Sequence, residues 1–195
     1  MIDLPDTPGP ADVVWRPLDF GAVRVPPLGG PVQRINRDGN RWAVDVTLPS
    51  LSLADTRRWQ GALAAAARDG ARWKVRQLGL PVASFGATLV AGAGQTGTTL
   101  NVDGGTAGAP WAQGQFFSLI SGGQRYLHQL AAAGAFAGDG TAALPLVEAL
   151  RVVPADNDVI DWAPRIEGIV PPEAAVVRIG MDRRGQVSFT IEEMG

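Results

Sequence analysis

Cysteine is missing from this 195-residue chain. Disulfides, thiolate nucleophiles and thiolate zinc sites are therefore excluded together, and the redox compartment is left open. Lysine occurs once, as Lys74, so the other basic residues among the 17 are arginines. They are spread among 19 acidic residues, for a formal net charge of -2. Binding to a phosphate backbone relies on concentrated basic side chains, so nucleic acid is not the expected partner. Arginine suits paired contacts and interfaces better than diffuse attraction. Histidine also occurs once, at His128. No apolar run reaches the length of a membrane span, and the acidic, proline-rich stretch Met1 to Val14 does not read as a secretory signal.

Glycine and proline, by contrast, are plentiful, with 25 and 15 residues. They fall between short apolar segments, which is the punctuation of a β-protein with many turns. At 46% hydrophobic and 18% charged residues, the chain is able to bury a core. The expected fold class is mainly β with one long helix.

In the first half, Gln33 to Arg37 leads into Asp38-Gly39-Asn40, and Trp42, Val44, Val46 and Leu48 then alternate with Arg41, Ala43, Asp45 and Thr47. Asp-Gly supplies turn residues and the alternation supplies a buried face, so this stretch predicts a hairpin. Ser52, with Asp55 three positions on, is a capping pair for a helix over 53–68, carrying Trp59, Leu63 and Ala67 on one face. Asp69-Gly70 ends it. Extended segments are expected at 72–77, 88–90, 98–102, 116–120, 124–130, 142–146, 175–181 and 186–193. Ser121-Gly122-Gly123 reads as a hairpin turn, and Val187, Phe189 and Ile191 as the buried face of a closing strand. The change of composition after Gly79 divides the chain. Residues 1–91 with 162–195 form one discontinuous β-domain of sandwich or barrel type, and 92–161 a small inserted β-domain.

Several arrangements resemble chemistry. Gly92-Ala93-Gly94-Gln95-Thr96-Gly97 has the spacing of a dinucleotide-binding loop, but that loop needs a helix to follow, and Thr98-Thr99-Leu100-Asn101-Val102 favours strand. His128 shares a strand face with Tyr126 but has no assignable nucleophile or orienting acid. Glu192 and Glu193 are adjacent, so on a strand they point to opposite faces and do not form a cooperating acid pair. Asp156, Asp158 and Asp161 lack the glycine and terminal glutamate of a calcium loop. No catalytic, cofactor-binding or metal-binding residue is thus expected, and the chain does not read as an enzyme. The aromatic residues Trp15, Trp42, Trp59 and Trp73 read as core. Trp111, Phe116, Phe117 and Tyr126 read as a candidate contact surface for a sugar or a protein, with packing inside the insert as the other reading of Trp111.

The order of these elements carries a resemblance. Trp15 comes first, then the strand Trp42-Ala43-Val44-Asp45-Val46-Thr47-Leu48-Pro49, then the helix with Ala54-Asp55 and Trp59, then 72–77. The glycine-rich 92–100 segment opens the insert, and Val187-Ser188-Phe189-Thr190-Ile191-Glu192-Glu193 closes the chain. Over most of its length the chain resembles the distal tail proteins of long-tailed bacteriophages. The resemblance implies a structural virion protein at the tail tip, or baseplate, made in the bacterial cytoplasm and assembled as a hexameric ring. Such a ring joins the tail tube protein to hub and fibre proteins for host adsorption. The insert is then a projecting domain of galectin or oligonucleotide-binding-fold type facing a host surface glycan. The alternatives are a carbohydrate- or receptor-binding tail module, a wall or glycan hydrolase, and a tail-completion or connector protein.

Overall fold

The alternating run at the end of the chain organises the larger of two sheets. The computed structural model describes residues 1–35, 37, 39–80 and 85–194. The molecule is mainly β, with 44% strand, a single α-helix among the described residues and several sheets, one of them curved into a half-barrel. The first part carries β1 (Ile2–Asp3), β2 (Asp12–Leu18), β3 (Ala22–Arg24), β4 (Gln33–Ile35) and β5 (Arg41–Thr47), followed by α1 (Leu53–Asp69) and β6 (Ala71–Lys74). The middle carries β7 (Gly86–Val90), β8 (Thr99–Gly105), β9 (Pro110–Trp111), β10 (Phe116–Ser121), β11 (Gln124–Gln129), β12 (Gly134–Ala135), β13 (Ala142–Pro145) and β14 (Val159–Asp161). Then come β15 (Arg165–Ile169), a 3-10 turn at Pro172–Ala174, β16 (Val176–Ile179) and β17 (Gly185–Glu193).

The larger sheet runs β1-β6-β15-β17-β5-β2, with β16 also pairing to β17. Its strands therefore come from both ends of the sequence. Val187, Phe189 and Ile191 of β17 are buried as the alternation predicts, together with Val44 and Val46 of β5. Trp59 of α1 stacks on Phe189 with ring centroids 5.5 Å apart, and Trp73 meets the same ring edge-on.

Helix α1 begins where the capping pair places it. Ser52 Oγ accepts the Asp55 N–H at 3.1 Å and donates to Asp55 Oδ2 at 2.7 Å. Gly70 ends the helix at φ 79°, and its N–H reaches Ala66 O. The buried stripe is Thr56, Trp59, Leu63 and Ala66, so Ala67 faces solvent rather than the core. The helix lies close on β17, because a Cβ on Gly185 would sit 1.9 Å from Thr56 Oγ1. Ser52→Ala removes the cap acceptor and is expected to cost about 1 kcal/mol, read as a lowered midpoint in urea unfolding.

The second sheet runs β11-β10-β14-β7-β8-β13. Its two outer strands approach each other beyond their ends, where Leu130 bridges Leu146 and Val147 N–H donates to Gln129 O at 2.9 Å. Val90, Leu100, Val102, Phe117, Leu119, Leu144 and Ile160 form its core with an aromatic group of Phe85, Trp111, Phe136 and Trp162. Trp111 lies flat over the short β9–β12 pair, where a Cβ on Gly134 would fall 2.4 Å from the indole. Strand β7 belongs to this sheet, so the second sheet starts at Gly86, inside the segment that the sequence division at residue 92 assigned to the first part.

The predicted hairpin of 33–37 with 41–48 is corrected. Strand β5 is present, but its antiparallel neighbours are β2 and β17, while β4 pairs with β3. The Asp-Gly signal is local, whereas β5 is an apolar interior strand, next to the edge strand β2, and is claimed by partners distant in sequence. Asp38 of the predicted turn lies outside the described residues. The turn at Gly122-Gly123 does join β10 to β11, in register from Phe116↔Gln129 to Ser121↔Gln124.

Candidate functional site: the seam between the sheets

Strand β11 is an outer strand of the second sheet, and its free edge meets the first sheet through carboxylates rather than through another strand. Glu193, at the end of β17, has a fully buried side chain. The Leu127 N–H donates to its Oε1 at 2.7 Å and the Trp42 N–H to its Oε2 at 3.1 Å. Arg151 Nη2 donates to Oε1 at 2.5 Å and to Leu127 O at 3.3 Å. One strand over, Glu167 of β15 does the same two residues earlier along β11. It accepts from Arg125 N–H at 3.2 Å and from Arg72 Nε at 2.6 Å. Alternate residues of a strand present their N–H groups to one edge, so a pair of glutamates two residues apart along β11 matches its period. Such edges are otherwise open to uncontrolled pairing.

The seam continues on β10. Phe116 N–H donates to Gln77 Oε1 at 2.6 Å, and Gln77 Nε2 donates back to Phe116 O at 3.0 Å. Ser118 Oγ accepts from Arg165 N–H and donates to Arg165 O, both at 3.0 Å. Arg125 pairs with Asp161 at 2.5 Å.

Burial sets the protonation at this joint. Burial pushes the Glu193 carboxyl up from its ordinary value, while Arg151 and the Leu127 and Trp42 N–H groups pull it down. Burial pushes Glu148 up to about 7. His128 is wholly buried and lowered to about 3 by burial and by the charge of Arg151, so it is neutral near pH 7. Among the described residues neither ring nitrogen of His128 has a hydrogen-bond partner.

The residues singled out from sequence are distributed differently. Trp111, Phe116 and Phe117 do not form a contact surface; all are buried, Phe117 completely. Adjacent strand residues face opposite ways, and β10 has a core on each side. Phe116 therefore packs among Trp15 and Trp42 of the first sheet, with centroids 4.9 and 5.3 Å away, and Phe117 packs against Trp162 in the second core. Tyr126 is half-buried, with the Arg151 guanidinium 5.5 Å from its ring centre. The 92–97 glycines lie in a loop followed by β8, not by a helix. Asp156 caps the Gly92 N–H, Asp158 caps the Ala155 N–H and Asp161 holds Arg125, so the three act separately. No cluster of metal-ligating side chains occurs among the described residues, and no described helix is long and apolar enough to cross a membrane. The seam glutamates were missed from sequence, although Glu193 continues the buried period of 187, 189 and 191.

A second feature projects from the body. Among the described residues, strands β3 and β4 pair only with each other, from Ala22↔Ile35 to Arg24↔Gln33. The root of this arm is fixed: Phe20 N–H donates to Asn40 Oδ1, Arg34 meets Asp19 at 2.5 Å, and the Arg41 guanidinium lies 4.8 Å from the Phe20 ring centre. Beyond the root, Val23, Val25, Leu28, Val32 and Ile35 are exposed, Leu28 almost entirely at 98%. No family model matches the chain, and no curated protein matches it.

Proposed function

We propose that this chain is a structural subunit of a bacteriophage tail tip, of the distal tail class, which acts by assembling into a ring and not by turnover. The observation that carries the reading is the β3–β4 arm. A monomer gains nothing from a ribbon that exposes five apolar side chains, whereas a head-to-tail contact with a neighbouring copy buries them and closes by rotation. The element order that resembles distal tail proteins supports the same assignment. In this reading the larger sheet and α1 build a ring of six copies between tail tube and hub, and the second sheet is the outward module, of galectin or oligonucleotide-binding type, facing host glycan.

Light scattering with negative-stain imaging of the purified chain tests this. The expected result is a closed ring of about six copies. Val25→Ser combined with Leu28→Ser leaves the fold intact, because both side chains are exposed, and is expected to weaken assembly by tenfold or more, on the order of one lost apolar contact. A strict monomer, both alone and with tail tube protein, would overturn the reading.

A further inference from the structure

At the seam, one guanidinium grips the buried Glu193 while a second buried carboxylate, Glu148, lies beyond ion-pair distance but within reach of its charge. Arg151 uses Nη2 on Glu193 and on Leu127 O, and its Nε and Nη1 have no acceptor among the described residues. Glu148, three residues earlier, is buried, and neither of its oxygens has a donor. The backbone N–H groups of Glu148 and Gln129 lie nearby, short of hydrogen-bond geometry, and the charges of Arg151 and Glu193 both reach the Glu148 carboxyl. Arg151 thus has unspent donors and Glu148 unspent acceptors among the described residues.

We propose that Arg151 is a proton-operated coupling between the two sheets. With Glu148 protonated, the guanidinium clamps Glu193 and through it Leu127 of β11. When Glu148 releases its proton to solvent, the guanidinium is drawn toward the new charge, and the grip of Glu193 on β11 relaxes. The other charged groups around Glu148 do not supply this change. His128, on β11, is already neutral throughout the relevant range. Arg41 of β5 donates to Glu193 O, and Arg34 and Arg37 line a cleft with Glu148; an arginine side chain offers no proton to release near neutral pH. Glu193, held between Arg151 and two backbone N–H groups, is also pushed up by burial, and the Glu148→Gln variant separates its titration from that of Glu148.

The sign follows from proton counting. The Glu148 carboxyl is raised from 4.5 to about 7 in the folded chain. Between those values the folded state binds more protons than the unfolded one, so stability falls as pH rises through that window and levels off above it.

Amide hydrogen exchange of the full chain, corrected for intrinsic rates, tests the coupling between about pH 5.5 and about pH 8.5. The Leu127 amide is expected to lose roughly tenfold in protection across this range, the scale of one weakened charge-assisted hydrogen bond. The Arg125 amide, held by Glu167, keeps its protection. In Glu148→Gln, which matches the protonated shape and takes no charge, the Leu127 loss is expected to vanish. A flat wild-type profile, or the same loss in the variant, overturns the proposal. If the variant does not fold, carbon-13 titration of the wild-type carboxyls decides. A Glu148 midpoint near 7 that shifts the Arg151 Nε resonance with it supports the coupling, and an ordinary carboxylate midpoint sinks it.

Discussion

Replacing Glu193 by alanine is expected to destabilise the protein by about 3–5 kcal/mol, the range for removing one partner of a buried ion pair. The loss has three parts that arrive together. Arg151, whose side chain is 5% exposed, is left charged without its acid, and the N–H groups of Leu127 and Trp42 are left without acceptors. Glu193→Gln keeps the volume and one acceptor but not the charge, so it costs less. Urea unfolding of the two variants measures both effects. The double variant Glu193→Ala with Arg151→Ala is expected to lose less than the sum of the single changes, because the second substitution removes the charge that the first one strands. A Glu193→Ala cost under about 1 kcal/mol would show that the seam contributes little to holding the two sheets together. Against a total stability that is typically about 5–15 kcal/mol, the expected loss is large enough to be visible in expression as well as in unfolding.

Phe117→Ala is expected to cost a similar 3–5 kcal/mol, for a different reason. Its ring is fully buried, 5.5 Å from Trp162 and 5.9 Å from His128, in a core with little freedom to close over a cavity. A contact residue on the surface would instead lose binding while the fold held. Thermal unfolding and a glycan-binding assay on the same variant separate the two. An unchanged midpoint with lost binding would make Phe117 a surface contact residue rather than a core one.

Much of the fold was legible where a local rule and the global arrangement agree. The Ser52 cap, the Gly70 stop and the β17 alternation each depend on neighbours a few residues away, and each is found where the residues place it. What was not legible depends on pairing across distance. Strand β5 offered an Asp-Gly turn beside it, yet it is flanked by β2 and β17, which no short-range signal announces. The Phe116-Phe117 pair looked like an exposed aromatic patch because a strand between two cores is rarer than a strand with one wet face. Glu193 was weighed only as half of an acid pair with Glu192, and Glu148 and Glu167 were not singled out. Charged residues are almost never buried unless paired, and the partners of Glu167 and Glu193 lie elsewhere in the sequence. His128 and Tyr126 do lie on one side of β11, as alternation required, but that side faces the second core.

The neighbourhood of β7 and β14 has a consequence for how the chain finds its shape. These strands pair at Val159↔Leu89, so the path into the second sheet and the path out of it leave side by side. Strands β6 and β15 of the larger sheet also pair, at Ile166↔Trp73, although roughly 90 residues separate them along the chain. If the second sheet forms first, it shortens that loop to an effective ~23 residues and lowers the entropy cost of closing it by about 1.2 kcal/mol. The middle of the chain then serves as a clasp that draws the two ends into one sheet, with the seam fastening last. Folding kinetics carry the signature: Phe117→Ala should slow folding itself, whereas Glu193→Ala should mainly hasten unfolding. The reverse assignment would place the larger sheet first.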